Sequence, residues 1–287
     1  MRDTDRKEGN FIVRDFHFHT DEILPELRQH YVTFGTPKRD TAGNVCNAVL
    51  LLHGTNGSGQ TIMDMLADQL FGKGQPLDIK QYYLIIPDAI GCGASSKPSD
   101  GLRAKFPHYG YNDMAEAQRL LVTEGLGIDR LRLILGLSMG AMHGWIWASK
   151  YPDMVDAVMP LVSLPVPITC HNLLYRRVST EAIRNDPDYK SGDYVKQPFY
   201  WRFALPSQYI LMESRARTFE IAPTREKAIE LFDKIVEDGS RIDANDYLYG
   251  FEASRDYDPQ PHLDKIKAFV LAVNFADDMV NANELGQ

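Results

Sequence analysis

The sequence predicts an α/β fold in which a mostly parallel, doubly wound sheet carries helices on both faces and a helical segment is inserted late in the chain. Short apolar runs alternate with amphipathic stretches through the first half of the 287 residues, which is the pattern of strands and covering helices. Several runs are continuously apolar, as strands buried on both faces are. From about residue 164 to residue 261 those runs disappear, and aromatic, Arg-rich, irregularly helical sequence replaces them.

The first part of the core is predicted over residues 1–163. Its two opening strands are joined by a turn near Pro25, and the later strands are parallel and separated by helices. The inserted segment, which we expect to form a lid, covers residues 164–261, and the core resumes over 262–287 with a seventh, buried strand and an acidic loop. In chain order the predicted strands are FIVRDFHF, LRQHYVTFG, NAVLLLHG, YYLIIPD, LRLILG, VDAVMPLVS and IKAFVLAVN, and the helices of the first part are TIMDMLADQLF and NDMAEAQRLLVTEGLG.

Composition and charge limit the classes of function. With 44% hydrophobic residues the chain can bury a full core, and a net charge of -8 without a basic cluster argues against nucleic-acid binding. The three cysteines, Cys46, Cys92 and Cys170, are scattered and odd in number, so we expect neither disulfides nor a metal site. No run reaches the roughly 18 apolar residues of a membrane span. We expect a cytoplasmic protein with no membrane partner, although a removed secretory signal fits the same sequence.

The segment LRLILGLSMGAMHGWIWASKYPD carries the chemistry. Gly136, Ser138 and Gly140 form a G-x-S-x-G pattern directly after an apolar strand and directly before a helix, which is the context of a nucleophile elbow. Such a turn strains the serine backbone and exposes its hydroxyl, and the glycines let neighbouring backbone pass closely. The amide of Met139, at the start of the helix, then points to the place where an oxyanion develops. The alternative is an inert serine in a glycine-rich turn.

A second oxyanion donor is predicted in the loop after the third strand, LLHGTNGSG. His53 and Gly54 close that strand, and the amide of Thr55 is the expected donor. We interpret His53 as a residue that holds the loop by hydrogen bonds rather than as a catalytic base. The glycine-rich loop that begins at Pro87, PDAIGCGASSKPSDG, lacks the spacing of a dinucleotide or Walker motif, so we expect no cofactor.

These segments resemble the α/β-hydrolase fold proteins of the homoserine O-acetyltransferase-like group. GLSMGAMHGWIWASKYPD is similar to the nucleophile segment of that group, and the likeness extends from about Phe11 to the end through SSKPSDGL, FPHYGYNDM and DANDYLYGFEASRDYD. The resemblance implies the α/β-hydrolase fold, a Ser, Asp, His triad in that chain order, a lid between the sixth and seventh strands, and acyl-ester chemistry. It makes Ser138 the nucleophile and Met139 and Thr55 the oxyanion donors.

The acid of the triad lies in the closing segment VLAVNFADDMVNANELGQ. Asp277 and Asp278 are adjacent, and alternation of side chains sends only one of them towards the serine. In the family the acid precedes two apolar residues and a proline-rich step that ends in Glu, which fits Asp278 followed by Met279, Val280 and Glu284. We therefore choose Asp278, with Asp277 as the alternative.

This sequence has no histidine at the position where the family has the histidine of its triad. In the family it follows a further strand, whereas no histidine follows His262 here. His143, five residues after Ser138, is on another side of the helix, and a lid histidine as substitute is a less favoured alternative. We therefore expect a C-terminally shortened form that lacks the last strand, the last helix and the catalytic histidine, and that is poorly active alone. Its uncovered seventh strand would take a second copy or a complementing C-terminal fragment.

The predicted function is hydrolysis of a small or medium acyl ester through an acyl-enzyme. The alternative is an acyl-CoA-dependent O-acyltransferase that uses a small hydroxyl acceptor such as homoserine, and a third interpretation is a catalytically silent binding protein, supported only by the absent histidine. Aromatic side chains of the lid suit an apolar acyl pocket, or else form the lid's own core; they are Tyr175, Phe199, Tyr200, Trp201 and Phe203.

Overall fold

The computed structural model describes residues 6–285 and contains one sheet with seven strands. The strand order is β1-β2-β4-β3-β5-β6-β7; β1 and β2 are antiparallel and the strands from β3 onwards are parallel to one another, as predicted. The bounds are β1 Arg6–His17, β2 Ile23–Phe34, β3 Ala48–Leu52, β4 Tyr83–Pro87, β5 Leu133–Leu137, β6 Ala157–Leu161 and β7 Phe269–Val270.

The turn of the opening hairpin differs from the prediction. It lies at 18–22, where Phe18 N donates to Glu22 O at 2.9 Å and Asp21 adopts a positive φ of 64°. Pro25 lies inside β2, between two paired positions of the β1–β2 register. A proline has no N–H to donate, so an edge hairpin accommodates it at an unpaired position. The assignment of the turn to Pro25 is therefore wrong.

Three helices pack on the two faces of the sheet: α1 Gly59–Leu70, α2 Tyr111–Leu120 and α3 Met139–Lys150. Successive residues of β3 enter opposite apolar clusters, Leu50 and Leu52 on the face of α2 and α3, Val49 and Leu51 on the face of α1. Because both faces are covered, the strand is apolar at every position, which explains the continuous run seen in the sequence. In α3 every residue from Met139 to Ser149 is buried.

Between β6 and β7 the described chain contains helices and no strand. The helices are α4 Cys170–Arg184, α5 Leu205–Met212, α6 Arg215–Ile221, α7 Arg225–Asp238 and α8 Ala244–Glu252. Tyr175 and Trp201 are buried in an apolar cluster of this segment, whereas Phe199, Tyr200 and Phe203 are 45%, 60% and 47% exposed. Two of the five aromatic residues singled out from the sequence thus serve the segment's own core.

Strand β7 is shorter and more exposed than its sequence suggests. It pairs with β6 through two residues only, and Phe269 is 70% exposed. Within residues 6–285 β7 has a neighbouring strand on one side alone, so its apolar side chains are not enclosed as those of β3 are. The expectation of a buried strand is wrong at this position. Nowhere in the described range is a helix both long and apolar enough to cross a membrane.

Candidate active site

Ser138 lies between β5 and α3 in a strained backbone conformation. Its φ of 50° and ψ of -109° are unusual for a residue with a side chain, and they match the sharp turn that a nucleophile elbow requires. Ser138 N donates to Leu161 O at 2.9 Å, and Met142 N donates to Ser138 O at 2.9 Å. The turn is thereby fixed to β6 on one side and to the first turn of α3 on the other.

The two glycines of the pattern are sterically required. A Cβ atom at Gly136 would lie 2.2 Å from the carbonyl oxygen of Gly140, and one at Gly140 would lie 2.3 Å from the carbonyl oxygen of Leu52. Both contacts are with backbone, which cannot move aside as a flexible side chain does. The elbow therefore closes against β3 only if both positions are glycine.

Two backbone amides next to Ser138 in the sequence or in the adjoining loop are the predicted oxyanion donors. Met139 is the first residue of α3, where amides have no partner within the helix. The loop after β3 passes beside the serine, because a Cβ atom at Gly54 would lie 3.8 Å from Cβ of Ser138. Within residues 6–285 neither the Met139 amide nor that of Thr55, the residue after Gly54, donates to a protein group. Both amides are free to bind an oxyanion.

His53 holds the loop that carries Thr55. Its Nδ1 donates to the carbonyl oxygen of Gly54 at 2.8 Å, and its Nε2 accepts from the amide of Ala89 at 3.0 Å. Burial lowers the pKa of His53, which agrees with a neutral ring that donates at one nitrogen and accepts at the other. These contacts agree with the interpretation of His53 as a loop-holding residue.

The two candidate acids differ in their surroundings. Oδ1 of Asp278 accepts from the amides of Val280 and Asn281 at 2.7 and 2.8 Å, and the side chain is half-buried, whereas Asp277 is exposed. In the described part of the chain no group donates to Oδ2 of Asp278. One oxygen of Asp278 is thus fixed by backbone while the other is free to orient a partner, which favours Asp278 over Asp277.

Asparagines that the sequence analysis did not single out hold the acid loop. Asn274 accepts from Ser163 N at 3.0 Å and donates to the carbonyl oxygen of Asn281 at 3.2 Å. Nδ2 of Asn172, in α4, donates to Oδ1 of Asn281 at 3.2 Å. The loop is therefore connected both to the end of β6 and to the helical segment. Asparagines at either end of the acidic pair were the only sequence signal for this role.

Within residues 6–285 no histidine is hydrogen-bonded to Ser138 or Asp278. His143 is fully buried, accepts from Nε2 of Gln118 at 3.0 Å, and has a pKa lowered to about 3 by burial. It therefore stays neutral in the core. Of the others, His19 and His30 contact Asp113 and Asp88, His108 stacks on Tyr249, and His17, His171 and His262 are exposed.

One cavity of the described residues is separate from this site. It measures about 610 Å³ and is lined by Ser149, Lys150 and His262, among others. Ser149 lies eleven residues beyond Ser138 on α3, which is about 16 Å along the helix axis. Nor do the residues from 6 to 285 contain a group of three or more His, Cys, Asp or Glu side chains placed to hold a metal ion.

Comparisons with known proteins agree with this fold. Residues 47–188 match the family model described as "alpha/beta hydrolase fold". The chain is 25% identical to a "Probable acyltransferase" of Methanothermobacter thermautotrophicus, over 96% of this chain and 84% of that protein. It is 31% identical to the homoserine O-acetyltransferase of Gluconobacter oxydans, over 60% of this chain but 46% of that protein, so the match spans less than half of that relative.

A solved structure, the acetyl esterase MekB, superposes with a TM-score of 0.82 at 22% identity and covers 96% of this chain and 83% of its own. At that identity the likeness supports the fold alone. The fold, the strained serine between β5 and α3, the matching family model and the acyltransferase relatives agree with one another. The chain is thus an enzyme with the alpha/beta-hydrolase fold, and its sequence is similar to acyltransferases that include homoserine O-acetyltransferases.

Proposed function

We propose that the protein hydrolyses small or medium acyl esters through an acyl-enzyme on Ser138. Oγ of Ser138 attacks the ester carbonyl carbon, the amides of Met139 and Thr55 receive the oxyanion, and the alcohol leaves with a proton. Water then attacks the acyl-serine and releases the carboxylic acid. The observation that carries the proposal is the strained φ of 50° at Ser138 beside two amides without protein partners in residues 6–285.

A general base must remove the serine proton in this mechanism. We assign Asp278 as the acid that orients the base, because its Oδ2 is free while Oδ1 accepts from two amides. The eight histidines make no hydrogen bond to Ser138 or Asp278 in the described residues. In this proposal the described residues provide the nucleophile, the oxyanion hole and the orienting acid. The helical segment 164–261 is proposed as the lid over them.

Acyl transfer is the second candidate function. Two relatives carry the names of acyltransferases, and transfer shares the acyl-enzyme with hydrolysis. The difference lies in the second step, in which the hydroxyl of an acceptor such as homoserine, rather than water, takes the acyl group from Ser138. A silent binding protein is less well supported, because a strained serine with free amides around it has a cost in stability that binding does not require.

A fluorophosphonate probe tests the nucleophile. We expect mass spectrometry to find a single adduct on Ser138, absent in Ser138→Ala. Ser191→Ala is the matched control, because Ser191 is an exposed serine that also has a positive φ, 54°, but lies in a turn outside the core. An adduct on another residue, or equal labelling of Ser138→Ala, would contradict the assignment.

Hydrolysis and transfer are separated by one comparison. The release of acetate from p-nitrophenyl acetate in water is measured beside the transfer of an acetyl group from acetyl-CoA to homoserine, each with the wild-type chain and Ser138→Ala. We expect the Ser138-dependent rate of hydrolysis to exceed that of transfer. A Ser138-dependent transfer that is much faster than hydrolysis would make the protein an acyltransferase.

A further inference from the structure

We propose that Asp88 is a positioning residue for the oxyanion-hole loop, defined here as residues 53–59, and that it supports the transition state rather than substrate binding. The inference rests on the proposed function, because it takes the Thr55 amide as an oxyanion donor. Asp88 directly follows β4, and its side chain is 5% exposed. In the described residues it makes no hydrogen bond to Ser138, whereas it does bind the loop, so we assign its effect on the reaction to the loop.

Asp88 and its neighbour hold the two ends of the oxyanion-hole loop. Oδ1 of Asp88 accepts from the amide of Gly59 at 2.6 Å, at the end where the loop enters α1. At the other end, Nε2 of His53 accepts from the amide of Ala89 at 3.0 Å. Two consecutive residues after β4 thus fix a seven-residue loop whose third residue is Thr55. Displacement of either end would move the Thr55 amide relative to Ser138.

The position requires a carboxylate. Besides Gly59, the amide of Ala94 and Nδ1 of His30 donate to Oδ2 of Asp88, both at 2.8 Å. Both oxygens therefore accept, and a buried carboxylate needs such donors. Asparagine has one oxygen only. If that oxygen faces the two donors at Oδ2, the amide nitrogen faces the Gly59 N–H, and two donors then oppose each other. An asparagine at this position would thus release the helix end of the oxyanion-hole loop.

The backbone is built around this carboxylate. A Cβ atom at Gly93 would lie 2.1 Å from Oδ2 of Asp88, and one at Gly59 would lie 3.3 Å from Oδ1. The N-terminus of α1, a helix of twelve residues, also favours a negative charge at Gly59. On the far side the carbonyl oxygen of Asp88 accepts from the buried side chain of Gln29 at 2.5 Å, which fixes residue 88 to β2. The loop is thereby positioned against the sheet.

The test uses the full chain and measures the labelling of Ser138 by a fluorophosphonate, whose developing P–O⁻ occupies the oxyanion hole. For Asp88→Asn we expect a maximal labelling rate about 10- to 100-fold lower with little change in the half-saturating probe concentration, because one displaced donor acts on the transition state. Hydrogen exchange should increase in peptides that cover 53–59 and stay unchanged in peptides that cover 139–150. Asp78→Asn is the matched control: Asp78 is equally buried and accepts from two amides, those of Gly74 and Lys80, outside the loop.

The outcomes separate this inference from the proposed function. Labelling of Asp88→Asn at the wild-type rate, or slowing that Asp78→Asn reproduces, would overturn the role of Asp88. If wild-type Ser138 is not labelled at all, the proposed function fails, and exchange in 53–59 still decides whether Asp88 holds the loop. If Asp88→Asn does not fold, His30→Ala removes one donor from the same carboxylate. It should slow labelling about 3- to 10-fold, and no slowing in that variant would also overturn the inference.

Discussion

At the scale of single residues, the elbow depends on positions at which no side chain fits. Gly136 and Gly140 face backbone atoms of Gly140 and Leu52 at distances too short for any Cβ atom. The strain at Ser138, of order 1–3 kcal/mol for such a φ, is maintained by the hydrogen bond to Leu161 and by the first turn of α3. A local part of the fold is thereby destabilised in order to present one hydroxyl group.

We predict that Gly140→Ala lowers the free energy of unfolding by about 2–4 kcal/mol, because the new methyl group meets the carbonyl of Leu52 at 2.3 Å. Gly144→Ala on the same helix is the control. Its methyl group would meet Cγ2 of the Val158 side chain at 3.0 Å, a longer contact that involves no backbone atom, and alanine favours helix by up to about 1 kcal/mol. Denaturant unfolding measures both variants. Equal losses in the two variants would show that the contact with Leu52 is not the cause.

The strained turn at Ser138 was predictable from the sequence because all its determinants are local. A strand, G-x-S-x-G and a helix follow one another within twenty residues, so spacing alone defines the turn. The role of Asp88 was not predictable in this way. Its donors belong to residues 30, 59 and 94, which come together only when β2, β4 and α1 pack. The choice between Asp277 and Asp278 likewise required the hydrogen bonds at Oδ1.

At the scale of elements, carboxylates of the helical segment attach it to the core. Asp246 of α8 accepts from the amide and the hydroxyl of Ser99 at 2.9 and 2.6 Å. Asp256, just after α8, accepts from the amides of Tyr111 and Asn112 at the start of α2, at 2.9 and 3.0 Å. Helix α8 also lies against the oxyanion-hole loop, since a Cβ atom at Gly250 would lie 2.7 Å from Oδ1 of Asn56. Movement of the helical segment would therefore displace the oxyanion-hole loop.

We predict a pH dependence from Asp246. Burial raises its pKa to about 6, above the ordinary value of 3.8 that applies to the unfolded chain. Between these values the folded state binds more protons, so the contribution of Asp246 is fully present below about pH 4 and is lost as pH rises to about 6. The Asp246→Asn variant lacks this pH-dependent contribution to stability, because asparagine does not titrate. Denaturant unfolding from pH 4 to 7 should therefore show wild type losing stability relative to Asp246→Asn, and a constant difference between the two would contradict the prediction.

The strands and helices of the core were predictable because their patterns of apolar residues follow from burial of the sheet on both faces. The hairpin turn was not, because Pro25 was taken as a breaker, whereas an antiparallel edge tolerates it at an unpaired position. The position of strand β7 in the sequence was predicted correctly, but the exposure of its side chains was not. The apolar run from Ile266 to Val273 indicates a buried strand. Burial also requires neighbouring strands and helices, which the run itself does not specify.

At the scale of the whole molecule, the edge at β7 exposes apolar side chains. Phe269, Leu271 and Phe275 are 70%, 49% and 62% exposed. We predict self-association of the chain at this edge, visible as a concentration-dependent mass in sedimentation, and a lower mass for Phe269→Lys because a charge on an edge strand opposes pairing. Leu102→Lys, at a 44% exposed leucine in the loop between β4 and α2, is the control. An unchanged mass for Phe269→Lys would contradict the prediction.

The arrangement around Ser138 also predicts how the whole chain behaves as a catalyst. No histidine is hydrogen-bonded to Ser138 in residues 6–285, and in that arrangement we expect the oxyanion hole and substrate binding alone to leave a rate roughly 10³- to 10⁴-fold above that in water, far below the rate of a complete triad. Free imidazole supplies a base of the missing kind, and Oδ2 of Asp278 is available to orient it. We expect imidazole to increase the hydrolysis of p-nitrophenyl acetate by about 10-fold or more over the background that Ser138→Ala shows at the same imidazole concentration.

Asp278→Asn should reduce that increase, whereas Asp277→Asn, at the exposed neighbour, should leave it unchanged. The contrary result is a fast, Ser138-dependent hydrolysis that imidazole does not alter and that one histidine substitution abolishes. It would mean that one of the eight histidines reaches Ser138 in solution, and the eight single variants would identify it. His143 is the least suited of them, since it is fully buried and accepts from Gln118, so movement to Ser138 would require α3 to open.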